Sequence, residues 1–401
     1  MKFSILPTVA TTATSLFVSA AAFAAAPLSD AAAESDSLAV LWKGQATSLA
    51  AVEAEVGAEL YSGVANQLDR YRGWIAENEY HVALADDLRV VLVTESEKSS
   101  KDRLELVNDT LATFDVVLTP PDRSESTETY RGGEWGVREH APDAEPVVLI
   151  ELKKGVHYQT LLSALEESDP DMSSWASVQS AEPGFAEERF MATGWQAAPD
   201  GYEIGPVWRS ENELVNRLTR LLLYRSYGPQ PNWLTQAAGW AVEQDVVGNI
   251  YCFPYRSEFI GVGEHEGWYN EVKGEFKSRK KKPLELSEFI EWKRGTWDAD
   301  AAAMSWAFTQ FLIQEKPGVL PALAESNRLA YRAGFTIDLG DGQWKTNPSF
   351  AVSPEAQFST LQAEAGEDVL DEATKFFRTW KRGRTTKASS KRKKSSKRRG
   401  R

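Results

Sequence analysis

The chain has 401 residues, 42% of them hydrophobic and 26% charged, with 14 Trp. That composition excludes a disordered or fibrous protein and supplies apolar material for one large domain or two modest ones. The net charge of −13 is polarised: residues 381–401 hold twelve Lys and Arg and no acid, which leaves −13 − 12 = −25 on residues 1–380.

The N-terminus has the form of a secretory signal. Lys2 gives a short positive region, residues 5–22 are apolar or small around Leu16, Phe17 and Val18, and Ala22-Phe23-Ala24 is an A-x-A cleavage site. The expectation is a signal peptide over residues 1–24 and a mature, non-transmembrane chain starting at Ala25. An uncleaved anchor is the alternative, disfavoured because the stretch is short and alanine-rich for a span. Cys252 is the only cysteine, so no intramolecular disulfide can form. Export without disulfides points to a bacterial secreted, periplasmic or envelope protein.

Residues 27–45 read as an Ala/Ser/Asp-rich leader. Residues 48–76 place Leu49, Val52, Val56, Leu60, Val64, Leu68 and Trp74 at helical spacing. Residues 25–78 are therefore expected to be leader and N-terminal helix, and 79–380 the main domain. Strands are predicted over 80–84, 88–94 and 147–152, with one or two more over 184–197. A helix carrying Leu104, Leu106, Val107, Leu111 and Phe114 lies between them, and another covers 158–166. Residues 124–143 read as a loop and 199–201 as a turn. Later helices are expected over 211–227, 233–247, 286–293, 300–315 and 319–330. Strands mixed with helices, followed by a helical half, make an α+β class.

Asn212-Glu213-Leu214-Val215-Asn216 has the spacing of H-E-x-x-H with asparagine at both histidine positions. In that motif the two imidazoles share a helix face and one Zn²⁺, and the Glu activates the bound water. An amide is a poor zinc ligand. The same residues also read as a capping box, Ser210 capping the helix and Glu213 reaching back to it. On that reading Leu214, Leu218, Leu221 and Leu222 are a core stripe.

Two later segments add context. Residues 231–243, with Pro231, Trp233, Leu234, Gly239 and Ala241, are similar to the P-x-W-L-x-E-G-x-A helix of gluzincin (peptidase MA-like) zinc metallopeptidases. Residues 300–312, with Ser305, Trp306 and Leu312, resemble that family's Y-x-x-S-W helix, with Ala302 in place of the tyrosine. The resemblance spans about residues 80–330 and is closest to secreted bacterial families of unknown function on that scaffold. It implies a third ligand, a glutamate, near Gln236 or Ala238, neither of which is a carboxylate. All three metal positions (Asn212, Asn216, and Gln236 or Ala238) thus depart from the pattern, and Glu213 stands at a vestigial general-base position.

The expectation is a non-catalytic, pseudo-peptidase domain without a cofactor. Its cleft, lined by Trp233, Trp240, Glu243 and Trp306, would bind a peptide or envelope protein. A second reading is an active zinc peptidase with atypical ligands drawn from Glu213, Glu243 or His265. A third is a structural or adhesive envelope protein.

His81, His140, His157 and His265 form no metal-binding spacing, and Glu264-His265-Glu266 reads as an acidic loop. Cys252 reads as a core cysteine, and residues 277–282 as an exposed charge run. The tail, residues 381–401, is expected to bind an anionic surface or polymer with steep salt dependence. It lacks the aromatic interleaving of sequence-specific nucleic-acid readers.

Overall fold

The computed structural model describes residues 38–120, 145–152, 155–168, 176, 185–188, 191–195, 209–252, 264–278, 283–293, 296–340, 343–347 and 350–381. The expected signal peptide, the 124–143 loop, the 199–201 turn, His140, residues 279–282 and the tail beyond Lys381 lie outside these residues. The chain divides into two units, Met1–Leu38 and Ala39–Arg401; every element below belongs to the second.

The architecture is α+β. A seven-stranded mixed sheet has the order β2-β1-β3-β4-β5-β7-β6, built from β1 Ala39–Trp42, β2 Gln45–Ser48, β3 His81–Leu84, β4 Val90–Thr94, β5 Val147–Leu152, β6 Phe185–Glu188 and β7 Met191–Trp195. Pairing is parallel for β1–β3, β4–β5 and β5–β7 and antiparallel elsewhere. Every residue of β4 is buried, which explains its lack of polar alternation: a strand covered on both faces has no reason to alternate.

β1 corrects the leader expected over 27–45. Its last part, Val40, Leu41 and Trp42, is buried in the sheet, pairing in parallel with Val82, Ala83 and Leu84. The domain therefore begins by Ala39 rather than at 79. The single helix expected over 48–76 is three: α1 Leu49–Val56, α2 Ala58–Asp69 and α3 Arg72–Glu77. Ser48 caps α1 by accepting from the Ala51 N–H at 3.2 Å, and Gly57 at φ 88° breaks the run, a left-handed value that costs glycine little.

α4 Glu97–Leu118 buries Leu104, Val107, Leu111, Phe114 and Leu118 and packs on β3 and β4, while α5 Gly155–Ser168 packs on β5 and β7. The helical half comprises α6 Ser210–Tyr227, α7 Asn232–Val247, α8 Glu264–Ser278, α9 Ala299–Glu315, α10 Val319–Phe335, α11 Pro354–Ala365 and α12 Val369–Thr379. A two-stranded hairpin, β8 Thr336–Gly340 with β9 Gln343–Thr346, separates α10 from α11. α6 packs on α4, and α7 packs on α6 and on α9.

Two expectations fail in this half. The acidic loop around His265 is the start of α8, which buries Trp268, Val272 and Phe276 at four-residue intervals. The helix expected over 286–293 is one 3-10 turn, Leu286–Glu288, stopped where Phe289 swings to φ −144°. That departure sends Phe289, Ile290 and Trp292 into the core. The hairpin, α11 and α12 carried no sequence expectation.

Candidate functional site

α6 and α7 run antiparallel with their polar residues facing one another. Asn212, in the first turn of α6, meets Glu243 near the end of α7, and Asn216, one turn on, meets both Glu243 and Gly239. The Asn212 amide donates to Glu243 Oε1 at 2.6 Å and to Asn249 Oδ1 at 2.8 Å. The Asn216 amide donates to Glu243 Oε2 at 3.0 Å. Gly248, in the left-handed region at φ 94°, ends α7 and turns the chain back. The backbone N–H groups of Tyr251 and Cys252 then also donate to Glu243 Oε1, at 2.6 and 3.2 Å. One carboxylate thus ties together α6, α7 and residues 249–252.

Glu243 is fully buried. Removal from water disfavours its charged form and pushes its pKa from 4.5 to about 8. The bonds from Asn212, Tyr251 and Asn216 favour the anion, the nearby Glu213 carboxylate opposes it, and burial prevails. Beside it, Glu213 pairs with Arg217 at 3.1 Å, both side chains more than nine-tenths buried. Cys252 hydrogen-bonds Glu213, and burial, with Glu213 and Glu243 adding to it, pushes its thiol well up. It is therefore an inert core cysteine. Tyr251 is pushed up to about 12 by burial and then by Glu213, with the Arg209 guanidinium 4.5 Å over its ring.

The capping role expected for Glu213 is not what the structure shows. α6 starts one residue earlier, so Ser210 is its first residue, and the cap position, Arg209, makes no side-chain cap bond. The Ser210 hydroxyl instead accepts from Arg103 Nη2 at 2.6 Å, an arginine already forked onto Glu151 of β5. Glu213 turns inward to Arg217.

The third position is also corrected. Gln236 bonds Asn232 at 3.3 Å, and Ala238 is buried in the core. Gln236 precedes Glu243 by seven residues, two turns or about 10 Å along α7, so it lies beyond the Asn216 level. The carboxylate facing both asparagines is Glu243. Trp233, Trp240 and Trp306, expected to line a cleft, are instead core: each is at most 2% exposed. Trp233 donates to Gln357 Oε1, Trp240 to the Cys252 carbonyl and Trp306 to Gln244 Oε1. Trp240 also stacks on Trp292 and meets Trp268 edge-on.

These residues do not fit zinc. Zinc needs lone pairs from imidazole, thiolate or carboxylate and, for hydrolysis, an open position for water. Here the 212 and 216 side chains present N–H groups to Glu243, whose oxygens already accept four bonds. Glu213 lies at the Cys252 thiol, whereas Glu243 accepts from the Cys252 backbone N–H. Among the described residues, however, no group of three His, Cys, Asp or Glu side chains could hold a metal ion; the side chain of His265 is outside that set. His157, away from this site, bonds the Tyr80 hydroxyl through Nδ1 at 2.6 Å, and His81 is exposed on β3.

The sequence matches no protein-family model and no curated protein.

Asn216 lies against the α-carbon of Gly239, where an added Cβ would stand 2.9 Å from its Nδ2 and 3.2 Å from its Cγ. Gly239→Ala should therefore displace Asn216 and cost a net ~1–2 kcal/mol, overpacking outweighing the gain in helix propensity. Urea unfolding reads this directly, and a stabilised variant would show that Asn216 is not held there.

Proposed function

We propose that the chain is an exported, non-catalytic protein on a metallopeptidase-like scaffold, binding a peptide or cell-envelope partner. The supporting observation is the convergence of Asn212 and Asn216 on Glu243. Two positions at the i, i+4 spacing of zinc-binding histidines face a carboxylate on the next helix, and hydrogen bonds occupy the place of metal bonds. The order of segments supports the same reading, since the Trp233 helix follows the motif helix and packs on it, and the later Trp306 helix packs on the Trp233 helix. The partner's binding surface lies elsewhere than the buried tryptophans, and the basic tail localises the protein to an anionic surface or polymer. Among the described residues no helix is long and apolar enough to cross a membrane.

Restoring the imidazoles tests the geometry. Asn212→His with Asn216→His should bind one zinc per chain, at least 100-fold more tightly than the parent. Adding Gln236→Glu should bring no gain, whereas Glu243→Gln in the restored background should lose the metal. A folded double variant that takes up no zinc would favour the structural or adhesive reading, in which the likeness is accidental.

A further inference from the structure

The last two turns of α10 cover little. Its earlier turns bury Leu320, Leu323, Ala324, Asn327 and Arg328, whereas Leu329 is 50% exposed and Phe335 alone is buried beyond it. β8 follows without a break, with Ile337 38% and Leu339 56% exposed at alternate positions. The other large apolar side chains exposed among the described residues are Leu60, Val116 and Val156, so the concentration lies at the end of α10 and on β8. The base of the hairpin is fixed: Tyr331 stacks on Phe335 at 5.1 Å, and Phe350, beyond β9, lies against Gly334 and Tyr331.

The pairing shows which backbone groups β8 leaves over. The Asn347 N–H donates to the Phe335 carbonyl at 2.7 Å, while Thr336 stands opposite Thr346 and Asp338 opposite Trp344. That bond flanks Thr336 and Thr346, which are therefore a non-hydrogen-bonded pair, and by alternation so are Asp338 and Trp344. The backbone N–H and C=O of Asp338 thus point away from β9. Among the described residues no third strand joins this sheet, and two strands alone are marginally stable in water. An open edge with exposed apolar residues at alternate positions is a template for an added strand.

We propose that β8 receives an extended peptide as a third strand, one that carries a Lys or Arg between two apolar residues. This rests on the peptide-binding reading above and gives it a surface. The backbone groups select an extended polypeptide, because another strand offers N–H and C=O at the matching repeat. Charge then selects among strands. β8 holds a single ionisable residue, Asp338, at its centre. Two copies pairing antiparallel about that residue would set Asp338 against Asp338, and like charges directly opposite destabilise a pair; each copy also carries −13 overall. Residues 381–401 of the chain itself have the charge, but with Ala388 as their only apolar residue they lack the alternation. A partner strand that is both basic and apolar satisfies both demands.

The test is fluorescence anisotropy of a labelled peptide, Ser-Val-Lys-Val-Thr with Gly-Ser at each end, titrated with the purified full chain. Saturable binding is expected. Replacing the peptide's Lys by Glu, or methylating the Lys backbone nitrogen, should weaken it about tenfold. Asp338→Lys should exchange the preference, releasing the Lys peptide and taking up the Glu peptide, a gain that misfolding cannot produce. No binding of the Lys peptide, or no effect of the backbone methyl, would overturn the added strand. A peptide array that still captures the parent chain would then keep the broader peptide-binding reading, and a blank array would remove both. Lys-peptide binding unchanged by Asp338→Lys would overturn the placement on β8. A parent chain that sediments as a dimer, with Leu339→Lys monomeric, would give the edge to a second copy and overturn the peptide.

Discussion

Glu243→Ala should destabilise the fold by about 4 kcal/mol, at the upper end for loss of a buried hydrogen-bond network. The side chain accepts from Asn212, Asn216 and the N–H groups of Tyr251 and Cys252. Truncation orphans four donors in a site with no exposure, and each orphaned donor costs about 1–3 kcal/mol before relaxation. Relaxation recovers part of this, because Asn212 keeps Asn249. Glu243→Gln keeps the volume but turns two donors toward an amide. It should cost less, about 1–2 kcal/mol, since Asn216 can flip to present its oxygen. Urea unfolding of both variants measures the difference. Near-parent stability for Glu243→Ala would mean that the carboxylate does not join α6, α7 and residues 249–252.

The second large effect is a pH dependence of the opposite sense to an ordinary paired carboxylate. The folded-state pKa of Glu243 is raised, from 4.5 to about 8, so the folded chain holds a proton that the unfolded chain has released. Stability from this group is fully present below pH 4.5 and is lost as pH rises toward 8, at up to ~1.4 kcal/mol per pH unit. The charged and titratable groups around it are Glu213 and Arg217 on α6, Arg209 before it, and Tyr251 and Cys252 after α7. Tyr251 and Cys252 are pushed up and stay protonated over that window. Histidines elsewhere also titrate there, so the parent curve is compared with that of Glu243→Gln, which cannot ionise. The difference curve should fall with rising pH; a flat difference would show that Glu243 is charged in the folded state throughout.

What could be read in the sequence follows from how each element is buried. β4 and β5 are runs of Val, Leu and Ile broken only by Thr94 and Glu151, and they stood out. α4 shows a regular stripe because only one side is covered. α7 and α9 are buried on most sides, and they were legible from segment likeness and length more than from periodicity. β1 was missed because four residues following an alanine-rich stretch give no pattern until Val40, Leu41 and Trp42 find β3. α8 was missed because its buried residues come only every fourth position in an otherwise polar stretch.

The site was half legible. Asn212 and Asn216 were singled out from their spacing together with the later Trp233 and Trp306 segments, and at i, i+4 they share one face of α6. Their partner was misplaced because the Trp-Leu and Ala-Gly anchors fix the segment without fixing which level of α7 faces α6. That level is set by Asn216 seating on Gly239 and by Gly248 turning residues 249–252 back, both tertiary facts. A sequence signal did exist: Glu243 is an acid within an apolar helix, and such a residue needs a buried partner. Glu213 was misassigned for a similar reason, since an S-x-x-E pattern cannot register that Ser210 is engaged by Arg103 across the domain.

In the proposed function, hydrogen bonds from Asn212 and Asn216 to Glu243 stand where metal bonds would be. The most direct test of that proposal is a zinc titration of the purified chain at pH 7 by equilibrium dialysis, with metal counted per chain. The account predicts no stoichiometric uptake and no change in thermal stability on adding zinc or a chelator. One tightly bound zinc per chain, lost in Glu243→Gln and accompanied by a chelator-sensitive fall in stability, would contradict it.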